Sequence, residues 1–170
     1  MQEIKKRRVL KKGKIVITRK GTFVLKLAKK IVKQLRPYCK KIRLVGSIRR
    51  GEKNPVDIDI VLIPKNKDNL EEKMKNIGAE FVQGGEYEST WKIEGVKVEL
   101  YYTIPEEWGA DLLAYSSESG AGIGLRVIAR KKGFKLNQHG LWKGKKRIAG
   151  KSEREIYKAL GRPYKAPRER

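Results

Sequence analysis

Disulfide stapling, zinc binding and membrane spanning are all excluded by what this chain is short of. Its 170 residues include one cysteine, Cys39, and one histidine, His139. A lone cysteine closes no internal disulfide, and one histidine beside it makes no cluster with zinc-ligand spacing. The pattern suits a reducing intracellular compartment, cytoplasm or nucleoid, with Cys39 as a structural residue. Nowhere do 18 consecutive apolar residues occur, and the basic start MQEIKKRRVLKKGK has no apolar centre, so neither a membrane span nor secretion is expected. Acidic residues are also scarce, 19 against 42 Lys and Arg, which leaves a net charge of +23. Each Lys or Arg placed at a phosphate releases condensed counterions, so nucleic acid is the natural partner and its binding should weaken with salt. Charge alone does not name the class, because ribosomal proteins, histone-like proteins and nucleases share this balance.

What is present suffices for a folded body. A hydrophobic fraction of 39% over this length suits one domain or two small lobes. Residues 1–20 read as a basic arm or hairpin, with Val9-Leu10 and Ile15-Val16-Ile17 flanking a turn at Lys11-Lys12-Gly13-Lys14. Thr22 is placed to cap a helix running to Leu35, since Phe23, Leu27, Ile31 and Leu35 recur every four residues before Pro37 stops it. A strand over 41–45, a Gly-Ser turn, a short basic helix and a β-branched strand over 56–63 follow. Residues 68–77 read as a surface helix, and 81–82, 90–93 and 96–102 as a strand meander turning at Gly84-Gly85 and Glu94-Gly95. This order predicts an α+β lobe with a mixed sheet over residues 21–104. From 105 the texture changes to a helix, a glycine-broken segment over 120–124, a basic helix over 125–132, short strands and a last helix capped by Ser152. A small α/β lobe over 105–170 is expected.

The sharpest local signal is Gly46-Ser47-Ile48-Arg49-Arg50-Gly51 followed by Asp57-Ile58-Asp59. Side chains alternate across a strand, so Asp57 and Asp59 should share a face while Ile58 and Ile60 turn into the core. Two carboxylates one residue apart attract a cation. Magnesium takes oxygen ligands, and a two-metal site activates a hydroxyl while stabilising a leaving pyrophosphate. The Gly-Ser turn ahead of a helix supplies N–H groups and a hydroxyl for a triphosphate, with Arg49 and Arg50 adding positive charge. A surface D-x-D pair would carry no meaning. These aspartates, however, interrupt an apolar run, where unpaired buried carboxylates cost several kcal/mol.

The block resembles the nucleotidyltransferase signature of the DNA polymerase beta superfamily, GS-x-x-R-G with D-x-D downstream. The Gly-Ser-x-Arg-Arg-Gly turn six residues before Asp57 is similar to the X-family DNA polymerases in particular. Further on, Trp108-Gly109, Leu112-Leu113, Leu125-Arg126, Lys132-Gly133, Leu136-Asn137 and Gly140-Leu141-Trp142 follow that family's thumb, and Pro163-Tyr164 with Pro167 resembles its usual ending. Residues 23–168 are covered. The resemblance implies a polymerase beta-like palm and thumb that extend a primer 3′-hydroxyl on gapped or primer-template DNA, using nucleoside triphosphates. It implies two Mg2+ ions, with Mn2+ as a substitute, held by Asp57, Asp59 and, on a neighbouring strand, Glu99 where aspartate is usual. Gly46, Ser47 and Arg50 would meet the triphosphate, Ala114 and Tyr115 the sugar, and Arg126, Arg130 and Lys132 the DNA. A monomer is the default. No room is expected before Phe23 for the amino-terminal lyase domain of larger members, similar to the reduced X-family enzymes of some large DNA viruses. Abasic-site processing is then not expected, and the arm Lys5 to Lys14 is left to help grip the template.

The departures carry information. The extra methylene of Glu99 shifts its carboxylate by about a bond length, and magnesium demands near-octahedral geometry. The bland reading of Glu99 is a salt bridge to Lys97 or Arg43. Ala114 stands where a bulkier ring often crowds the sugar, which predicts weak exclusion of ribose, and the 120–124 segment replaces a Phe-Asn stretch near the base edge. His139 reads as an exposed turn residue, and Trp91, Trp108 and Trp142 as core anchors. Two other functions compete: a template-independent terminal transferase, and a catalytically decayed basic nucleic-acid-binding module.

Overall fold

The computed structural model describes residues 6–11 and 14–170. Their contacts separate into two units, one running to Ile48 and resuming over Glu52–Tyr102, the other made of Arg49–Gly51 with Thr103–Arg170.

In the first unit, β1 (Lys6–Lys11) and β2 (Lys14–Arg19) pair antiparallel, so the basic arm is a hairpin. Lys12 and Gly13 of its expected turn, like Lys5, lie outside the described residues. Next comes α1 (Gly21–Leu35), with Val24, Leu27, Ala28, Ile31, Val32 and Leu35 buried. That stripe follows three-four spacing and is wider than the every-fourth pattern, leaving Phe23 at the margin of the core. Thr22 does not cap it. The helix begins two residues earlier, with extended Lys20 in the cap position and no side-chain cap, so Thr22 already lies in the first turn. Pro37, inside a 3-10 turn, ends the run.

Five strands form the sheet: β3 (Cys39–Val45), β4 (Ile58–Pro64), β5 (Glu80–Gly84), β6 (Glu88–Ile93) and β7 (Val96–Tyr102), in the order β3-β4-β7-β6-β5. β4 and β7 pair in parallel and the other neighbours antiparallel, so the sheet is mixed. The parallel pair needs a crossover, which the segment carrying α3 (Lys67–Asn76), β5 and β6 supplies. Asn66 caps α3 by accepting from the Asn69 N–H at 3.0 Å. Ile58, Ile60, Leu62, Val98 and Leu100 bury in one core with α1 and with Leu70 and Met74 of α3. Each fully buried aliphatic side chain contributes roughly 1.5–3 kcal/mol, so this face fixes the register. Cys39 is buried in the same core, and desolvation pushes its thiol up to about 11, as suits a structural residue.

β4 starts at Ile58, two residues later than the 56–63 strand expected from sequence. Its neighbour β3 ends at Val45, where the chain turns into the short helix α2 (Gly46–Arg49), and the last pair is Val45 with Asp59. Asp57 therefore sits at a bend before the strand, not inside it.

In the second unit, α4 (Trp108–Tyr115), α5 (Ser119–Lys131) and α6 (Glu153–Ala159) accompany a sheet of β8 (Lys135–Asn137), β9 (Gly140–Lys143) and β10 (Lys146–Ala149). Ala110, Leu113, Ala129, Leu141, Ile156 and Leu160 make its core. Gly109 permits the close approach of α4 to the start of α6, since a Cβ there would fall 2.2 Å from the Ser152 carbonyl carbon. Ser152 caps α6 through the Glu155 N–H at 3.1 Å. The expected glycine break over 120–124 is absent: α5 is continuous from Ser119. A helical glycine costs about 1 kcal/mol against alanine, and packing of Leu125, Ile128 and Ala129 offsets that cost. The result is an α+β fold with a mixed sheet and a smaller α/β unit. Among the described residues no helix is long and apolar enough to cross a membrane.

Candidate active site

The parallel pairing of β4 with β7 sets Asp59 directly against Glu99, between the buried pairs Ile58 with Val98 and Ile60 with Leu100. By alternation, Lys97, Glu99 and Tyr101 share the face of β7 turned away from α1 and α3. The Tyr101 hydroxyl donates to Glu99 Oε2 and lies 3.2 Å from Asp59 Oδ1. Lys97 Nζ sits 2.6 Å from Glu99 Oε1, so the bland expectation of a Lys97 salt bridge is realised. Burial first, then the charge of Glu99, pushes the Asp59 carboxyl up to about 6 against the hydrogen bond from Tyr101. Asp57 adds to that rise from its bend, which puts it within electrostatic reach. Glu99 moves the other way: burial raises its carboxyl, but the hydrogen bonds from Lys97 and Tyr101 outweigh burial and hold it below the usual range.

These donors fit a hard cation. The face offers carboxylate oxygens with no sulfur or imidazole, and Asp59 is raised by burial first and then by the charges of Glu99 and Asp57, both of which a bound cation would relieve. Among the described residues, no three Asp, Glu, His or Cys side chains already converge as a ligand set.

Gly46 starts α2 at φ 64°, and a Cβ there would lie 2.4 Å from Asp59 Oδ2. The turn thus needs glycine for Asp59 itself, a requirement not visible in the motif. Ser47 is half-buried, and its carbonyl accepts the Glu52 N–H at 3.0 Å.

Arg49 does not supply the free phosphate-binding charge expected of it. Its guanidinium donates to Ser116 Oγ at 2.8 Å and to both oxygens of Glu153, at 3.0 and 2.5 Å. Glu153 also receives Arg170. Burial raises the Glu153 carboxyl, but Arg49 and Arg170 outweigh it and hold it low. Arg50 is half-buried.

Also in the second unit, Ala114, Gly122, Arg126 and Asn137 line one cavity of about 270 Å³. Ala114 and Arg126 are thereby brought together, while half-buried Tyr115 is not among its lining residues. Arg130 and Lys132 are exposed, Arg130 in the last turn of α5 and Lys132 at its C-cap. His139 is not an exposed turn residue: it is half-buried, with Nδ1 2.8 Å from Glu107 Oε1, which also accepts from Arg147. Trp91 is a fully buried anchor. Trp142 is half-buried instead, with Arg147 4.7 Å from its ring centroid and its indole N–H on Asn137 Oδ1. Sequence reasoning missed Tyr101 and the buried Asp111, whose carboxyl desolvation pushes up to about 6. The spacing of two from Glu99 could have flagged Tyr101, whereas nothing local marks Asp111.

Comparison with known proteins finds two matching families. Residues 25–108 match the nucleotidyltransferase domain family, and residues 122–170 match the DNA polymerase beta thumb. The chain is 32% identical over 142 residues to the "Repair DNA polymerase X" of African swine fever virus isolate Pig/Kenya/KEN-50/1950, covering 77% of this chain and 82% of the viral protein. The protein of the same name from the Pretoriuskop tick isolate is 31% identical over the same shares. The "DNA polymerase IV" of Saccharomyces cerevisiae is 34% identical over 65 residues, which are 38% of this chain and 11% of the yeast protein. Matching the nucleotidyltransferase domain and the polymerase beta thumb, and aligning over most of its length with the viral polymerases, the chain belongs to family X of the DNA polymerases.

Proposed function

We propose that this chain is a template-directed DNA polymerase that fills short gaps in repair, working as a monomer on gapped or primer-template DNA. The observation that carries the reading is the register pairing of Asp59 with Glu99 across the parallel strand pair, with Asp57 within electrostatic reach of Asp59. Asp57, Asp59 and Glu99 would hold two magnesium ions, with manganese able to replace them. Ions bound there supply activation of a hydroxyl and stabilisation of charge on the departing pyrophosphate. Glu99 orients the proton of the primer 3′-hydroxyl, while Gly46, Ser47 and Arg50 receive the triphosphate. Ala114 and Tyr115 flank the sugar, and the small Ala114 leaves a ribose 2′-hydroxyl unopposed. Residues 21–104 serve as palm and 105–170 as thumb. Arg126, Arg130, Lys132 and the basic arm of residues 1–20 hold the DNA backbone by displacing counterions. The repair role draws support from the names of the viral relatives.

The ion pair between Lys97 and Glu99 favours one other reading, a basic nucleic-acid-binding module without catalysis. Primer extension in magnesium, with and without a template strand, separates the possibilities. Extension that follows the templating base supports the polymerase. Extension without template would make the chain a terminal transferase, and DNA binding without extension would make it a binding module.

A further inference from the structure

Both oxygens of Glu99 already have donors from its own strand. Lys97 Nζ holds Oε1 at 2.6 Å, and the Tyr101 hydroxyl donates to Oε2. The same hydroxyl lies 3.2 Å from Asp59 Oδ1. An ammonium and a phenol thus do what a cation would do at this face: one neutralises a carboxylate, and the other ties two carboxylates together. A carboxylate engaged at both oxygens is not an open ligand until one donor leaves. Lys97 and Tyr101 are not equivalent. Lys97 is half exposed on a flexible stem and carries a charge that repels a divalent ion, whereas Tyr101 is buried, neutral and fixed against both acids.

We propose that Lys97 and Tyr101 are positioning residues for Glu99, with Lys97 a built-in competitor for the cation and Tyr101 a strut that keeps Glu99 beside Asp59. In the resting protein Lys97 occupies Oε1. Binding of a divalent ion displaces Lys97 from that oxygen, and Tyr101 keeps its hold on Oε2. The inference rests on the metal-site reading above and adds a residue-level control of when Glu99 becomes a ligand.

The test is Mn2+ binding to the full chain without DNA or nucleotide, read from the free-ion electron paramagnetic resonance signal, with circular dichroism confirming the fold of each variant. Lys97→Met should tighten binding by about three- to fivefold, the scale of one solvent-exposed ion pair. Lys97→Arg should restore the wild-type affinity, and Glu99→Gln combined with Lys97→Met should abolish the gain. Tyr101→Phe should weaken binding, because the two acids lose their common tie. Unchanged or weaker binding in Lys97→Met, or a gain that persists in the double variant, overturns the role of Lys97. Unchanged binding in Tyr101→Phe overturns the strut. Failure of the site reading looks different: Asp57→Ala and Asp59→Ala would then leave Mn2+ binding intact, which sinks both proposals together.

Discussion

Replacing Gly46 with alanine strains the acidic face through backbone and carboxylate at once. At φ 64° an L side chain costs about 1–2 kcal/mol, so some destabilisation is expected from the backbone alone. The new Cβ would also fall 2.4 Å from Asp59 Oδ2 and 3.0 Å from its Cγ. Restoring ordinary contact moves the carboxylate by about 1 Å, because non-bonded heavy atoms rest near 3.5 Å. A displacement of that size at a reacting site costs about 100-fold in rate. Gly46→Ala should therefore lower the urea midpoint modestly and cut single-turnover insertion into a one-nucleotide gap by about two orders of magnitude. DNA binding should hold, since no basic residue changes. Insertion at the wild-type rate in a protein of unchanged stability would refute the reasoning, because the backbone would then have absorbed the methyl without moving Asp59.

Wild-type protein should insert ribonucleotides within about tenfold of deoxynucleotides, a difference of roughly 1.4 kcal/mol in barrier. Ala114→Tyr should select against ribose alone, as single insertions of both sugars opposite one template base will read. Asp111, raised by burial from 3.8 to about 6, keeps in the folded state a proton that the unfolded chain releases. Its contribution to stability therefore falls as pH rises between about 4 and 6, and Asp111→Asn should remove the fall, with a gain of up to about 3 kcal/mol at pH 7 from denaturant curves. A Cβ added to Gly120 or Gly124 meets open space, so alanine at either should raise stability by about 1 kcal/mol.

Much of this architecture is written in short-range pattern. The four-residue recurrence in α1, the β-branched residues of β4 and the turn residues of the meander each need a few neighbours to be read. The D-x-D pair and Glu99 were visible because family X spaces its carboxylates around a recognisable turn. What escaped depends on distant partners. β4 starts at Ile58, where its pairing with Val98 of β7 begins, and no feature of residues 56–57 announces it. Arg49 looks like a phosphate ligand until Glu153, 104 residues away, is brought against it. Tyr101 becomes part of the acidic face through the parallel register of β7 with β4, a pairing that no local propensity encodes. The glycines of α5 read as a break because propensity counts their cost and not the packing of Leu125 and Ala129 that offsets it.

On the proposed mechanism, Asp57, Asp59 and Glu99 drive templated nucleotide addition with divalent metal. The direct measurement is single-nucleotide insertion into a one-nucleotide gap, opposite each of the four template bases, for wild type and Asp59→Ala in magnesium and in chelator. Wild type should insert the complementary nucleotide in magnesium alone, and Asp59→Ala should bind the gap normally while losing insertion by several orders of magnitude. Insertion by Asp59→Ala at the wild-type rate, or by wild type in chelator, would contradict the account.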